Sequence, residues 1–366
     1  MEKEMAKTKD FDLGEFTFPR GWFMIAEATE LDKGPMALRF FSQDLALYRG
    51  ESGKVVLLDA YCPHMGTHLT ASPSASIVMN NEQIEGDSIR CPYHGWRFAP
   101  DGNADDIPYF DGPCPKAAKI RSHTVVEQLG AILMWHDPEG GDPDYDAPNL
   151  NVWDDPQWVN GTYDHLGEIA IHPQEIIDNM ADAHHLGPTH GAPCEYFENE
   201  YDGHKYYQRQ GGFHRMYDAY LTTSTWYTGP GMLISKQRFG EQNGYEFIFH
   251  TPVEDGVVKA WHNNLSMAPS DKPTEEDVAN ARMAQEGALA AFAQDFDIWA
   301  NKRPALTIMA LPVERSFRRG RTWYKQFFNP RSEARAIHEK LDGKHHLSNL
   351  PEPGELAREL EESMTW

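Results

Sequence analysis

The sequence predicts an α+β protein of two domains: an all-β domain over residues 20–138, then a domain over residues 139–366 in which helices flank an antiparallel sheet. Three observations lead to this prediction. Short strand-like runs separated by turns fill the first third of the chain. A segment rich in Pro, Gly and Asp, residues 137–148, marks a boundary. Beyond it, alternating strand patterns over residues 206–266 precede a long helical pattern.

The strands of the first domain are expected in five short apolar runs: GWFMIA, ALRFFS, DLALYRG, KVVLLDAY and GAILMWHD. A turn is expected at Pro-Asp-Gly-Asn, residues 100–103. Runs this short, bounded by turn residues, favour a small β domain over a helical one.

The second domain begins with a helix predicted over residues 174–185. Strands are expected in YYQRQ, HRMYDAYLTTSTWY, MLISKQRF, YEFIFHT and VVKAWHNNLSM. A helix over residues 274–299 follows, where Thr274 and Asp277 have the spacing of a capping box. A last strand is predicted in RTWYKQFF, and a charged helix at about residues 354–363.

Composition and charge exclude several classes of function. The formal net charge is −23, so phosphate backbones and anionic lipid surfaces are repelled, and we expect neither nucleic-acid nor membrane partners. No apolar run approaches the ~20 residues of a membrane span, and the N-terminus lacks the apolar core of a signal peptide. Four cysteines in 366 residues do not make a disulfide framework. We therefore expect a cytoplasmic protein with reduced thiols or metal ligands.

Two short segments each offer one cysteine and one histidine: Cys62 with His64, and Cys91 with His94. In Rieske-type [2Fe-2S] centres, two cysteines and two histidines hold the cluster. The competing interpretation, a structural zinc site, usually pairs two close cysteines with two close histidines, whereas each segment here mixes the two types. The pattern therefore favours a cluster. His68 has the wrong spacing to join the set and is expected at the surface.

A second metal site is predicted in the segment DNMADAHHLGPTH. On a continuous helix, Asp178, Asp182 and His185 would share one face, and His190 would follow after the helix ends at Gly-Pro. Two imidazoles and one carboxylate form the facial triad of non-haem Fe(II) oxygenases. His184 competes with His185 but would point about 100° away on a helix.

The carboxylate of this triad is expected farther along the chain, where Asp295 and Asp297 are the two candidates. Asp295 is preferred because its helical neighbours are mostly apolar, among them Phe292 and Trp299. A carboxylate on an apolar face is costly unless it is compensated, and metal coordination is one form of compensation. The neighbours of Asp297 are mostly polar.

The segments CPHMGTHL and CPYHGWRFAPDG resemble the Rieske motif of the Rieske non-haem iron oxygenases. The spacing Asp182-x₂-His185-x₄-His190 is similar to the iron motif of the same family. One departure is that 26 residues separate His64 from Cys91, more than is usual, so ASPSASIVMNNEQ is interpreted as a surface insertion.

The resemblance implies a terminal oxygenase that activates O₂ at mononuclear Fe(II), held by His185, His190 and Asp295, with electrons arriving from the Rieske cluster. It implies a catalytic domain of the helix-grip type and a head-to-tail homotrimer. Asp182 would then bridge His94 of one chain to His185 of the next. A separate NAD(P)H-dependent reductase, with or without a ferredoxin, is also implied, because the sequence has no glycine-rich dinucleotide fingerprint.

Several other stretches, such as LMWHDPEG, FHTPVEDG and DIWANK, look like the 3-ketosteroid 9α-hydroxylase and cholesterol 7-desaturase branch. They imply hydroxylation or desaturation of a bulky, apolar, steroid-like substrate. A ring-hydroxylating or demethylating oxygenase for small aromatics is the alternative, and an electron carrier without oxygenase activity is a further one. Six aromatic residues of the predicted sheet are candidates to line a large pocket, with about half expected to be plain core: Tyr220, Trp226, Tyr227, Phe247, Phe249 and Trp261.

Overall fold

The computed structural model describes residues 5–362, which form two compact units. The small unit comprises residues 24–136. The large unit combines the segment up to Phe23 with the chain from Asp137 onward. The N-terminal segment belongs to the large unit because Phe11 and Leu13 lie in its core, and because Phe16 and Arg20 donate backbone hydrogen bonds to residues 328 and 327.

The small unit contains three antiparallel sheets, with strand orders β1-β11-β10, β2-β3-β4-β9 and β5-β6-β7-β8. It also has a 3₁₀ helix over Ala28–Lys33 and one short α-helix. Its elements are β1 (Gly21–Glu27), β2 (Met36–Phe40), β3 (Gln43–Arg49), β4 (Val55–Asp59), α1 (Ser76–Met79), β5 (Ile84–Glu85), β6 (Ser88–Arg90), β7 (Arg97–Phe98), β8 (Ala104–Asp106), β9 (Ser122–His123), β10 (Val125–Gln128) and β11 (Ala131–His136). All five strand patterns of the sequence overlap strands here. The turn at residues 100–103 is formed, with Gly102 at a φ of +79° that favours glycine.

The expected insertion forms α1 and the turns around it, and Met79 is exposed. Its end is anchored: Gln83 is buried, and its side-chain amide donates to the carbonyls of Leu69 and Arg90 at 2.5 and 3.3 Å. The inserted residues therefore form a surface segment whose last residue, Gln83, is fixed beside the second cysteine segment.

The large unit is built on one nine-stranded antiparallel sheet, ordered β12-β19-β18-β17-β16-β15-β14-β20, with β13 also paired to β19. The strands are β12 (Trp158–Asn160), β13 (Asp164–Ile169), β14 (Tyr196–Asp202), β15 (Lys205–His214), β16 (Ala219–Thr228), β17 (Met232–Phe239), β18 (Gln242–Glu254), β19 (Val257–Met267) and β20 (Gly343–His346). The helices are α2 (Pro173–Asp178), α3 (Leu186–His190), α4 (Glu275–Asn301), α5 (Ser316–Lys325), α6 (Arg331–His338) and α7 (Glu355–Glu362).

The long helix α4 confirms its sequence prediction. Thr274 is the N-cap, and the side chains of Thr274 and Asp277 each accept a hydrogen bond from the other's backbone N–H. A cap of this kind typically contributes about 1 kcal/mol to helix stability. Phe292 and Trp299 face a core shared with α2 and α5. This packing fixes the register of the helix, and therefore the position of Asp295. The predicted C-terminal helix corresponds to α7, and its expected last residue, Ser363, lies outside the described residues.

The strand predicted in RTWYKQFF is wrong: these residues form the end of α5 and a following 3₁₀ turn over Gln326–Phe328. Aromatic residues favour strands, but here packing decides the conformation. Trp323, Tyr324, Phe327 and Phe328 are all buried at the helical spacing i, i+1, i+4 and i+5. A strand would divide them between two faces.

The strand predicted over residues 214–227 is divided by a turn at residues 215–218, so that β15 and β16 form a hairpin. Asp218 adopts a left-handed φ of 49°, and Met216 and Tyr217 are exposed. The charged residues Arg215 and Asp218 could have indicated this turn in the sequence.

The continuous helix predicted over residues 174–185 is also wrong. Helix α2 ends at Asp178, a 3₁₀ turn covers Asn179–Ala181, and Asp182 is extended with φ −104° and ψ 99°. Its carboxylate accepts the backbone N–H groups of His184 and His185 at 3.0 and 3.2 Å, which competes with helix continuation. Pro188 does not end a helix but lies in the first turn of α3, where its missing N–H costs nothing.

Candidate metal centres

The two cysteine–histidine segments fold into matching loops. Cys62 follows β4, and its backbone N–H donates to Thr67 while its carbonyl accepts from Gly66. Cys91 follows β6 and repeats both bonds, with Trp96 and Gly95. Gly66 and Gly95 have φ values of 71° and 73°, a conformation that L side chains rarely adopt.

The four side chains of these loops converge. Both cysteines belong to the buried core of the small unit. The Cys62 thiol donates a hydrogen bond to Cys91, which is the largest cause holding the pKa of Cys91 down at about 6. The rings of His64 and His94 lie 4.6 Å apart, and His64 is exposed. Two buried thiols in contact and two neighbouring imidazoles, supplied by matching loops, fit the ligand set of a Rieske cluster.

Trp96 completes this arrangement. Its ring stacks on His64 at 4.6 Å with an interplanar angle of 8°. Its indole N–H donates to Tyr109 at 2.7 Å. The motif alone does not predict that Trp96 orients a candidate ligand, because this role depends on the stacking geometry. His68, expected at the surface, is partly buried, and its Nδ1 accepts the backbone N–H of Thr70.

The second candidate centre lies in the large unit, where the break after α2 positions His185. The Nδ1–H of His185 donates to the carbonyl of Asp182 at 2.8 Å, which leaves Nε2 as the nitrogen able to bind a metal. Burial alone would raise the pKa of Asp182, but His185 and the backbone N–H groups hold it below its ordinary value. Asp182 is therefore an anion that fixes the turn carrying His185.

His190 and Asp295 complete the group. Asp295 is buried on α4, and its Oδ2 lies 3.5 Å from Nε2 of His190. The Nδ1–H of His190 donates to Gln294 on the same helix at 2.9 Å. The potential ligand atoms of His185, His190 and Asp295 all lie within 4.8 Å of one another. Two imidazoles and one carboxylate, each imidazole with its other nitrogen held by an oxygen, fit a mononuclear iron site.

The alternative residues lie elsewhere. His184 is exposed, and its Nε2 is 3.5 Å from the side chain of Asn349. Asp297 is exposed on the outer side of α4. Asp178, which the sequence predicts on the same helical face as His185, instead forms an ion pair with Arg321 at 2.5 Å. The residues expected to share a centre are thus brought together, although the helical face used to argue for His185 does not exist.

A cavity of about 250 Å³ opens beside this group. Its floor is the sheet, and α3 and α4 contribute its sides. Side chains alternate between the faces of a strand, so Thr225 and Tyr227 line the cavity while Trp226 does not. Of the six aromatic residues considered, only Tyr227 lines this cavity. Phe247, Phe249 and Trp261 are buried on the opposite face of the sheet, with Trp153 and Tyr163 packed against the first two.

Two known protein domains match this chain. The Rieske [2Fe-2S] domain matches residues 21–123. The 3-ketosteroid 9alpha-hydroxylase C-terminal domain matches residues 134–328, more than half of the chain. The chain belongs to this family of Rieske oxygenases. It is therefore an O₂-dependent oxidoreductase and the terminal oxygenase of a multicomponent system, with a Rieske [2Fe-2S] cluster and a non-haem iron.

Curated proteins are similar in sequence to this oxygenase, two of them along most of its length. It is 28% identical over 359 residues to a 3-ketosteroid-9-alpha-monooxygenase oxygenase component of Rhodococcus rhodochrous, covering 93% of this chain and 90% of the relative. A protein of the same description from Mycolicibacterium smegmatis is 28% identical and covers 90% and 88%. Cholesterol 7-desaturase of Hemicentrotus pulcherrimus is 34% identical over 183 residues, 48% of this chain and 36% of that protein.

Solved structures share the fold of this oxygenase. The QL mutant of Pseudomonas putida CBB5 NdmA with caffeine superposes with a TM-score of 0.67 at 17% identity, covering 91% of this chain and 97% of that one. Dicamba monooxygenase with non-haem iron and dicamba gives 0.59 at 18% identity, covering 88% and 97%. Within residues 5–362, no helix combines the length and apolar character needed to cross a membrane.

Proposed function

We propose that this oxygenase oxidises a bulky, steroid-like substrate in the cavity beside His185, His190 and Asp295, by hydroxylation or desaturation. The observation that carries the proposal is that these three residues all line the same cavity. The relatives named for 3-ketosteroids and cholesterol support the substrate class.

The cavity has two chemically different parts. One is apolar and aromatic, formed by residues such as Met180, Leu233, Ile248, Phe292 and Trp299. The other is a polar row from four neighbouring strands: Gln208, Gln210, Thr223, Thr225, Ser235, Gln237 and Glu246. Buried polar groups favour a ligand that offers hydrogen bonds to them. A rigid, largely apolar molecule with a few oxygen substituents matches both parts.

In this proposal His185, His190 and Asp295 hold the iron, and Cys62, His64, Cys91 and His94 hold the cluster. Bound iron supplies the site at which O₂ is activated, with electrons from the cluster. The surrounding residues keep the ligands in place: Asp182 fixes the turn before His185, and Gln294 orients His190. The apolar side chains keep bulk water away from the substrate.

The finer assembly also belongs to the proposal. A head-to-tail homotrimer would let Asp182 of one chain bridge His94 of another to its own His185. Exposed apolar side chains near the cluster loops support an interface there: Met65, Tyr93 and Tyr109 are each more than 60% exposed. Electrons would come from a separate NAD(P)H-dependent reductase, directly or through a ferredoxin. A cytoplasmic location stays a prediction, as does the division into domains at residues 138 and 139.

The test is a substrate panel with a surrogate reductase, following O₂ uptake and product mass. We expect coupled oxidation of a 3-ketosteroid or bile-acid-like compound that binds with micromolar affinity, about −8 kcal/mol. Coupled turnover of small aromatic acids alone would overturn the steroid assignment in favour of the aromatic alternative.

Metal analysis of anaerobically purified protein tests the iron site separately. About three irons per chain are expected, two from the cluster and one mononuclear. Two irons with no labile third would contradict the proposed site and favour an electron carrier.

A further inference from the structure

A buried imidazole in the catalytic sheet lies between two carboxylates. Nε2 of His262, on β19, is 3.2 Å from Oε1 of Glu246 on β18. Nδ1 of the same ring is 3.0 Å from Oδ2 of Asp164 on β13. The His262 side chain is fully buried, so both of its nitrogens are committed to these carboxylates.

The two carboxylates face different environments. Glu246 lines the cavity that also contains His185, His190 and Asp295. The Asp164 side chain is 35% exposed, at the side of the sheet where β13 pairs with β19. The three residues thus form a continuous hydrogen-bonded path from the protein surface to the cavity, across one strand.

Neutral groups hold each end of the path. On the cavity side, Gln237 donates to Oε2 of Glu246 at 2.6 Å, and Ser235 and Thr225 continue the row with a hydroxyl contact of 2.7 Å. On the outer side, Gln285 donates to Oδ2 of Asp164 at 2.9 Å and to the carbonyl of Thr162. Gln285 lies on α4, the helix that carries Asp295.

We propose that Asp164, His262 and Glu246 relay protons from solvent to the cavity during turnover. The inference rests on the proposed iron site. Monooxygenation balances as RH + O₂ + 2 e⁻ + 2 H⁺ → ROH + H₂O: the substrate C–H bond and the O–O bond break, a C–O–H unit and water form, and the electrons come from the reductase through the cluster. Both protons must come from solvent into a cavity that is partly closed by apolar side chains.

Other titratable groups at the cavity are less suited to this role. Burial raises the pKa of Tyr227 far above its ordinary value, so it stays protonated. His185 and His190 are assigned to the metal. His214 lines the cavity, but among the described residues its buried Nδ1 has no hydrogen-bond partner. Glu246, in contrast, is connected to the surface by the hydrogen bonds of His262 and Asp164.

The charge state of His262 suits a relay. Burial alone would lower its pKa, but Glu246 and Asp164 hold it above its ordinary value. The charged groups that face the ring are Glu246 from β18 and Asp164 from β13, while Gln285 from α4 is neutral. The raised pKa favours the imidazolium form, in which Nε2–H and Nδ1–H each donate to a carboxylate. The imidazolium can give the Nε2 proton to Glu246, after which Nδ1 still carries its own proton. A flip of the ring then brings the deprotonated nitrogen to a protonated Asp164, which restores the imidazolium.

The experiment uses the holoenzyme with reductase and whichever panel substrate couples. The variants are His262→Gln and Asp164→Asn. Glu168→Gln is the matched control: it removes one exposed carboxylate from the same strand, β13. The relay predicts that both variants lower kcat by about 100-fold, the lower end for positioned proton donors, and enlarge the solvent deuterium isotope effect on kcat. KM, cluster absorption and iron content should match those of the control.

A merely structural role would lower thermal stability or iron content while leaving kcat per iron and the isotope effect unchanged; that result would overturn the proposal. If His262→Gln does not fold, Asp164→Asn decides alone, because its side chain is partly exposed.

A readout without turnover separates this inference from the proposed function. The pH profile of deuterium exchange at the His262 C2 position, followed by mass spectrometry, reports the pKa of the ring. We expect a midpoint above the ordinary histidine value that falls in Glu246→Gln. A midpoint at or below that value in the unmodified enzyme would overturn the relay, whether or not any steroid is oxidised.

Discussion

The cluster loops and the proposed iron site are both candidate metal centres, but they are built from very different lengths of chain. All four candidate cluster ligands lie between residues 62 and 94, on two loops with the same backbone hydrogen bonds and the same glycine conformation. The candidate iron ligands come from a helix break near residue 185 and from α4 at residue 295. The first centre depends on local loop geometry, whereas the second depends on how α4 packs against the sheet. We call the cluster loops the local centre and the iron site the distributed centre.

The strongest test of the local centre is Cys91→Ser. Because both thiols are buried at the point where the loops meet, we expect complete loss of the visible Rieske absorption and of the cluster EPR signal. Cys114→Ser is the control, since Cys114 is a free, half-buried cysteine outside both loops. A normal Rieske spectrum in Cys91→Ser would show that the cluster ligands are assigned wrongly.

The corresponding test of the distributed centre is Asp295→Ala against Asp297→Ala. The first removes the buried carboxylate 3.5 Å from His190 and should abolish mononuclear iron binding while leaving the Rieske spectrum intact. The second removes an exposed carboxylate two residues away and should retain iron. Iron titration of the two proteins measures this, and the reverse outcome would exchange the two roles.

Asp182→Asn tests whether the two centres communicate through this residue. An amide can still accept the backbone N–H bonds of the turn, so both metal contents should be unchanged. Turnover should fall by at least about 10- to 100-fold, because the neutral amide does not replace the carboxylate that the bridge between His94 and His185 requires. In stopped-flow experiments with O₂ and substrate, the cluster should stay reduced. His184→Ala, at the neighbouring exposed imidazole, should oxidise normally, and normal oxidation in Asp182→Asn would refute the bridge.

The large unit should also lose stability in acid. Burial lowers the pKa of His172 and His250 to about 3, and that of His204 to about 4. The unfolded chain binds protons near pH 6.5, so this stability is complete above that pH and is lost as pH falls toward 3, by about 1.4 kcal/mol per pH unit for each histidine.

Hydrogen exchange of amides in β17 and β18 at pH 7.5 and pH 5 measures the loss. His250→Gln removes one titrating group and should reduce the dependence on pH. An unchanged slope in that variant would contradict the explanation from burial.

The sequence predicted the local centre better than the distributed one for a physical reason. Each cluster loop carries its own turn glycine beside its ligands, so spacing alone encodes the geometry. The continuous helix predicted around His185 is interrupted by the side chain of Asp182. The inward position predicted for Asp295 agrees with its burial on α4, because helical periodicity reports the buried face. Its proximity to His190, 105 residues earlier, depends on sheet packing that no local pattern contains.

The same limit explains the errors in the fold and in the cavity. RTWYKQFF has the composition of a strand, and only its burial against the large-unit core makes it helical. The sequence makes the aromatic residues of the sheet candidates for the cavity, but it does not show which face of the sheet carries the cavity. Once Thr225 is seen to line it, alternation assigns Tyr227 to the cavity and Trp226 to the other face.

That alternation also separates positions where substitutions change the cavity from positions where substitutions change the packing behind the sheet. Exchanging Thr223, Ser235 or Gln237 alters the polar row of the cavity, while Trp226, Phe247 and Phe249 keep the opposite face packed. Because neighbouring positions on one strand serve different faces, natural variation can redesign what the enzyme accepts without repacking the layer behind it. A combinatorial library restricted to every second residue of β15 to β18 would sample new regioselectivities on an otherwise constant scaffold.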